Sequence, residues 1–87
     1  MPFLQGNIIS KDGIIVAEAV EIYIDFFCID TTNIWDGSFE IPATTILTHD
    51  TYRIQLSDGR QGTITNINIR VSGDNIMVYF EGKGPLQ

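Results

Sequence analysis

Apolar and polar residues alternate along most of this chain, which is the period-two pattern of half-buried β-strands. The pattern is clearest between Tyr52 and Phe80, where three alternating runs are separated by Asp58-Gly59 and by the Ser-Gly-Asp-Asn segment at residues 72–75. Asp-Gly suits a two-residue type I′ turn, because both central residues of that turn adopt positive φ. The sequence therefore predicts an antiparallel three-stranded meander over this stretch, with a type I′ turn at Asp58-Gly59.

The middle strand of this meander changes phase. Ile64 stands at an even position, whereas Ile67 and Ile69 stand at odd ones. Because a shift of one residue inverts the facing of a strand, all three can point inward only if the strand is bulged. We therefore predict a β-bulge between Thr65 and Ile67, and a close backbone approach at Gly62.

The first half of the chain also predicts strands. Residues 3–10 and 14–16 flank the turn at residues 11–13 (Lys-Asp-Gly), which indicates a hairpin. Residues 17–30 alternate with β-branched and aromatic side chains on one face, and a strand of this length predicts a bend near residues 17–19. We expect a polar loop at residues 30–37, a short strand at 38–41 and a brief strand at 44–48.

Six or seven short strands, frequent turn signals and no amphipathic helix are typical of a small all-β barrel or sandwich. We favour a strongly bent antiparallel meander that closes into a partly open, SH3-like barrel, because curling one sheet buries its inner face and removes strand edges. A chain of 87 residues is expected to form a single domain, residues 1–87.

The net charge of −6 is unevenly distributed. Residues 12–50 contain eight acidic residues and no Lys or Arg, whereas residues 51–87 contain three acidic and four basic residues. Such a surface repels phosphate, so we expect no nucleic acid partner, and it could meet a basic protein partner. No apolar run is long enough to cross a membrane and no signal peptide is visible, so a soluble cytoplasmic protein is expected.

Candidate chemistry is sparse. One histidine and one cysteine cannot supply a zinc site, and Asp30, Asn33 and Asp36 lack the spacing of a calcium loop. Cys28 falls on the apolar face of its predicted strand, where a thiol is inert. We therefore predict no metal and no cofactor. An enzyme that uses His49 with Asp50 is the least favoured hypothesis.

Several large side chains lie outside the predicted core faces or in the predicted loop. These candidate interface residues are Tyr23, Phe27, Ile34, Trp35, Met77 and Tyr79. Tyr and Trp are favoured anchors at protein interfaces, which supports a non-enzymatic interaction or assembly module, with self-association into a homo-oligomer expected. The alternative is a small-ligand-binding barrel with Trp35 near its mouth. For Trp35 itself we favour a plug of the barrel mouth over an interface role, because a Trp at the end of a strand in a thin-cored domain is more often a plug. We identify no family from these motifs.

Overall fold

The computed structural model describes residues 3–29, 32–47 and 50–87, with the side chains of residues 27–29, 32 and 33 left out. Six strands form: β1 (Phe3–Ser10), β2 (Ile15–Ile29), β3 (Thr32–Pro42), β4 (Tyr52–Leu56), β5 (Gln61–Ser72) and β6 (Asn75–Lys83). They close into a barrel in the order β1-β2-β3-β6-β5-β4, and each neighbouring pair is antiparallel. The predicted small all-β barrel is confirmed.

Alternate residues of all six strands fill the barrel interior. The buried core residues include Ile8, Ile22, Ile24, Phe39, Ile41, Tyr52, Ile54, Leu56, Ile64, Ile76, Val78 and Phe80. The period-two pattern predicted inward positions correctly for β4, where Tyr52, Ile54 and Leu56 are all buried. Within the described part of the chain, no helix is long and apolar enough to cross a membrane.

The bend predicted near residues 17–19 and the bulge predicted between Thr65 and Ile67 are both present. Each is a β-bulge that contains a non-glycine residue at positive φ. In β2 the register with β1 shifts at Ala19, which has φ 53° and donates its N–H to Asn7 Oδ1 at 2.9 Å. In β5 the register with β6 shifts between Thr65 and Asn68, and Asn66 has φ 51°. Asn tolerates this left-handed conformation, because its short polar side chain bonds locally. The bulges bend the two strands as barrel closure requires.

The turn between β4 and β5 differs from the predicted type I′ turn. Leu56 N–H donates to the Arg60 carbonyl at 2.8 Å, and Gly59 N–H donates to the Leu56 carbonyl at 3.0 Å. The loop therefore has three residues, and only its last, Gly59, has positive φ, at 93°. This geometry is that of a type I turn followed by a left-handed glycine. Asp58 is held in the turn by the Arg60 N–H, which bonds Asp58 Oδ1 at 3.0 Å and lowers the pKa of that carboxyl group.

The turn between β1 and β2 has the same construction. Ser10 N–H donates to the Ile14 carbonyl at 2.8 Å, and Gly13 N–H donates to the Ser10 carbonyl at 2.9 Å. Gly13 takes the left-handed position, with φ 85°. The two short segments that end in Asp-Gly thus form equivalent three-residue loops, and the predicted first hairpin is confirmed.

The predicted loop at residues 30–37 is wrong for residues 32–37, which belong to β3. This polar stretch is extended because β2 supplies a ladder partner for each residue, as where Asp25 faces Asp36. The predicted brief strand at 44–48 is also wrong for residues 44–47, which lie in a turn and coil.

The placement of Ile69 in the core is wrong as well, since its side chain is 47% exposed. Ile69 does face the same side of the sheet as buried Val78, its ladder partner. However, β4 pairs with β5 only at residues 61–64, so nothing in β4 covers the second half of β5. Ile64, which lies opposite Tyr52 of β4, is fully buried.

Candidate functional site

The strand order divides the charged residues of the barrel into two groups. The adjacent strands β2, β3 and β6 contain six carboxylates and one basic residue, Lys83: Glu18, Glu21, Asp25, Asp36, Glu40 and Glu81. The adjacent strands β1, β4 and β5 contain no carboxylate and two basic residues, Arg53 and Arg70. We call these two groups of strands the acidic half and the carboxylate-free half.

Exposed aromatic side chains form a row across the outer surface next to and within the acidic half. Phe3 pairs with Tyr23, Tyr23 with Ser38, and Ser38 with Tyr79, so these residues lie side by side on β1, β2, β3 and β6. The rings of Phe3 and Tyr23 meet edge to face at 5.5 Å. Phe3 is 49% and Tyr79 45% exposed, and one strand separates the two tyrosines, a backbone spacing of roughly 10 Å. We call Phe3, Tyr23 and Tyr79 the aromatic row.

Carboxylates lie on both sides of the aromatic row. On one side, Glu21 and Glu40 line a shallow depression together with Phe3 and Met77. On the other side, Asp25 pairs with Asp36 and Asp36 pairs with Glu81, so three carboxylates lie directly opposite one another on adjacent strands. The aromatic row and these five carboxylates together form the acidic–aromatic face.

Like charges directly opposite one another destabilise a sheet, by about 0.2–1 kcal/mol per pair. In the described part of the chain no Lys or Arg forms an ion pair with any of the five carboxylates; the ion pair found there joins Arg60 to Asp58, in the turn after β4. Amide groups bond two of the five: Asn75 Nδ2 donates to Glu40 Oε2 at 2.7 Å, and Asn66 Nδ2 donates to Glu81 Oε2. The negative charge of this face is therefore not neutralised by the described residues.

The described residues also hold no metal-binding cluster. No three of their His, Cys, Asp or Glu side chains converge closely enough to hold a metal ion. The five carboxylates of the acidic–aromatic face are thus spread over three strands, two on β2, two on β3 and one on β6, and do not surround a point. Such an arrangement suits an extended cationic partner better than a single ion.

Four of the six candidate interface residues lie on the outer side of the acidic half. Met77 lines the depression described above, and Tyr23 and Tyr79 line a second depression on the face. Ile34 lies two positions before Asp36 on the same side of β3. Phe27 pairs with Ile34 in the ladder, and its side chain lies outside the described part of the structure. The surface gains Phe3, which sequence reasoning missed, because only the register of β1 against β2 places it beside Tyr23.

Trp35 does not belong to this surface. It is 3% exposed and points into the barrel, where its ring meets that of Phe80 edge to face at 6.2 Å. Trp35 Nε1 donates to the Gly84 carbonyl at 2.8 Å. A Cβ atom on Gly62 would lie 2.9 Å from the indole Cζ2 atom, and one on Gly82 would overlap the indole ring. Trp35 is therefore the plug of this barrel end, and its placement in the candidate interface is corrected.

The tail after β6 covers the same end of the barrel. Gln61 and Gln87 exchange backbone hydrogen bonds of 2.8 and 3.0 Å, and Leu86 packs against the core. The close approach predicted at Gly62 is made by the side chains of Trp35 and Leu86 and not by another stretch of backbone. With Trp35 packed in this way, the described residues leave no open aromatic mouth there for a small ligand.

Two of the residues considered for chemistry lie where the structure gives no description. His49 falls outside the described residues, and so does Asp30. The side chain of Cys28 is likewise not described. The hypotheses that used them, catalysis with Asp50 and a calcium loop, receive no support.

No family model matches this chain, and no match was found among curated proteins or among solved structures. The site is therefore argued from its own residues and their geometry.

Replacing Gly82 by Ala tests the packing of Trp35. The added methyl group overlaps the indole, so we expect the free energy of unfolding to fall by about 1–3 kcal/mol in urea titrations followed by circular dichroism. In a Trp35→Phe background the smaller ring should reduce the cost of Gly82→Ala, which a double-mutant cycle measures directly. Equal costs in both backgrounds would show that Trp35 does not pack on Gly82.

Replacing Asp36 by Asn tests the repulsion across the strands. Asp36 faces a carboxylate on each side, so its neutralisation should raise the free energy of unfolding by about 0.4–2 kcal/mol at low salt. The gain should shrink as salt is added, because screening weakens the repulsion in the parent protein. Asp74→Asn is the matched control, since Asp74 lies in the β5–β6 turn and is paired with no carboxylate across the sheet. A loss of stability in Asp36→Asn would contradict the proposed repulsion.

Proposed function

We propose that this protein is a non-enzymatic interaction module that binds a basic protein segment through the acidic–aromatic face. The proposal depends on one observation: five carboxylates that no described cation neutralises surround exposed aromatic rings on one side of the barrel. The carboxylates of this face repel one another, and the fold tolerates that repulsion, although replacing Ser38 or Met77 by a basic residue could relieve it. Departures from local stability rules without an internal compensation are expected at functional surfaces.

Lysine and arginine fit both chemical features of the face. Their charged groups pair with carboxylates, and they also stack over tyrosine rings, an interaction worth about 0.5–1 kcal/mol at an exposed site. Ser38 lies between Tyr23 and Tyr79 in the row, and its small side chain leaves room for a guanidinium group between the two rings. Arginine and tyrosine are also enriched among the residues that dominate interface energies.

Other partner classes fit this face less well. The carboxylates repel the phosphates of nucleic acids. The described residues form no metal cluster, and Trp35 packs against Gly62 and Gly82 at one end of the barrel. We assign the protein no cofactor and no catalytic residue. Its cytoplasmic location stays a prediction.

Binding of a fluorescent octa-arginine peptide tests the proposal. We expect binding at low salt that weakens steeply as salt is added, because the contact is largely electrostatic. Asp36→Asn and Glu40→Gln should each weaken the affinity by about two- to fivefold, as expected for exposed ion pairs. Tyr79→Ala should weaken it by a similar factor, while Tyr79→Phe should retain it, because the ring face makes the contact.

Asp74→Asn is the control that separates a binding face from net charge alone. It removes the same charge from the β5–β6 turn, outside the face, and should leave the affinity nearly unchanged. An equal loss in Asp36→Asn and Asp74→Asn would show that the peptide follows only the net charge. Absence of binding at low salt would also refute the proposal.

A further inference from the structure

The second half of β5 has a strand neighbour on only one side. β4 pairs with β5 at residues 61–64 and no further, whereas β6 pairs with β5 as far as Ser72. Among the described residues, no other backbone hydrogen bond reaches residues 65–72. Within the part of the chain that the structure describes, this segment therefore has a strand partner on one side only, as do residues 24–29 of β2 and 32–35 of β3. We call it the β5 edge.

The hairpin between β5 and β6 determines which groups the β5 edge presents. Ser72 and Asn75 pair across a two-residue turn that begins with Gly73 at φ 63°, so they exchange both backbone hydrogen bonds. In an antiparallel ladder such pairs alternate, so Arg70 and Asn68 also direct their backbone groups toward β6. The N–H and C=O groups of Ile69 and Val71 must then point to the open edge.

Two apolar side chains on the inward side of the β5 edge are exposed. Val71 is 81% and Ile69 47% exposed, although both lie on the inward side of the sheet, opposite Ile76 and Val78. Natural proteins protect open edges with Lys, Pro, inward charges, β-bulges or very short strands, and the bulge of β5 lies between Thr65 and Asn68, before Ile69 and Val71. β5 has twelve residues, and Arg70 is its one charged residue. The β5 edge thus combines unpaired backbone groups with apolar surface.

We infer that the β5 edge pairs with the β5 edge of a second copy of this chain, antiparallel about a twofold axis. An antiparallel edge is complementary to itself, so the same residues serve both copies. Charge selects this part of the barrel, because the edge belongs to the carboxylate-free half and two copies can meet there without pressing their acidic halves together. The inference does not rest on the proposed function.

Charge also selects the register of this pairing. With Ile69 opposite Ile69 of the second copy, Arg70 lies opposite Asn68, and the two Ile69 residues exchange both backbone bonds. Moving the register by two residues would place Arg70 directly opposite Arg70, which is unfavourable. The favoured register also places Val71 opposite Ile67 on the same side of the joined sheet. It therefore covers apolar side chains that a monomer exposes.

Sedimentation equilibrium of the full chain over micromolar to millimolar concentrations tests this inference. We expect a reversible monomer–dimer equilibrium. Val71→Lys adds a protecting charge at an exposed site, and it should weaken dimerisation by at least about tenfold while leaving the circular dichroism spectrum unchanged. Ile15→Lys is the matched control, because Ile15 is 51% exposed and lies on β2, which two strands separate from β5 in either direction around the barrel.

Amide hydrogen exchange in the unmodified protein provides a second measurement that needs no variant. The N–H groups of Ile69 and Val71 should exchange more slowly as the protein concentration rises, while those of loop residues Ser57 and Gly59 should not change. A monomer at every concentration would overturn the inference. A dimer that Val71→Lys and Ile15→Lys affect equally, or one without protection at Ile69 and Val71, would overturn it as well.

Discussion

The packing of Trp35 against glycine backbone closes one end of this barrel, and the arrangement of the outer surface depends on that closure. Gly62 and Gly82 lie on neighbouring strands, and a side chain at Gly82 would occupy the space of the indole. A chain of this size has a thin core, so one well-packed tryptophan is a large share of it. Because Trp35 occupies this end of the barrel, recognition is assigned to the acidic–aromatic face on the outside.

The outer surface departs from the rule that governs stable sheets. Cross-strand neighbours normally have opposite or neutral charge, yet Asp36 faces acidic residues on both of its neighbouring strands. The opposite half of the barrel has no carboxylate in its strands, so the acidic charge is concentrated on one side. This asymmetry directs a cationic partner to the aromatic row and leaves the β5 edge able to meet a second copy.

Local pattern was sufficient for much of the fold. Alternation predicted the core positions of β4, the length of β2 predicted the irregularity at Ala19, and a phase change predicted the bulge at Asn66. Long-range pairing decided the rest. The polar start of β3 is extended because β2 continues beside it, and Ile69 is exposed because β4 is too short to reach it. The alignment of Asp36 with carboxylates on both neighbouring strands could not be predicted from the sequence, because β3 pairs with β6 across a large separation in sequence.

Mapping the contact of octa-arginine by nuclear magnetic resonance tests the central claim most directly, namely that the acidic–aromatic face is the binding surface. On titration at low salt, the account predicts chemical-shift changes concentrated at Tyr23, Asp36, Ser38 and Tyr79. Amides of β4, on the opposite half, should change little. Changes spread evenly over the barrel, or concentrated in the carboxylate-free half, would contradict it.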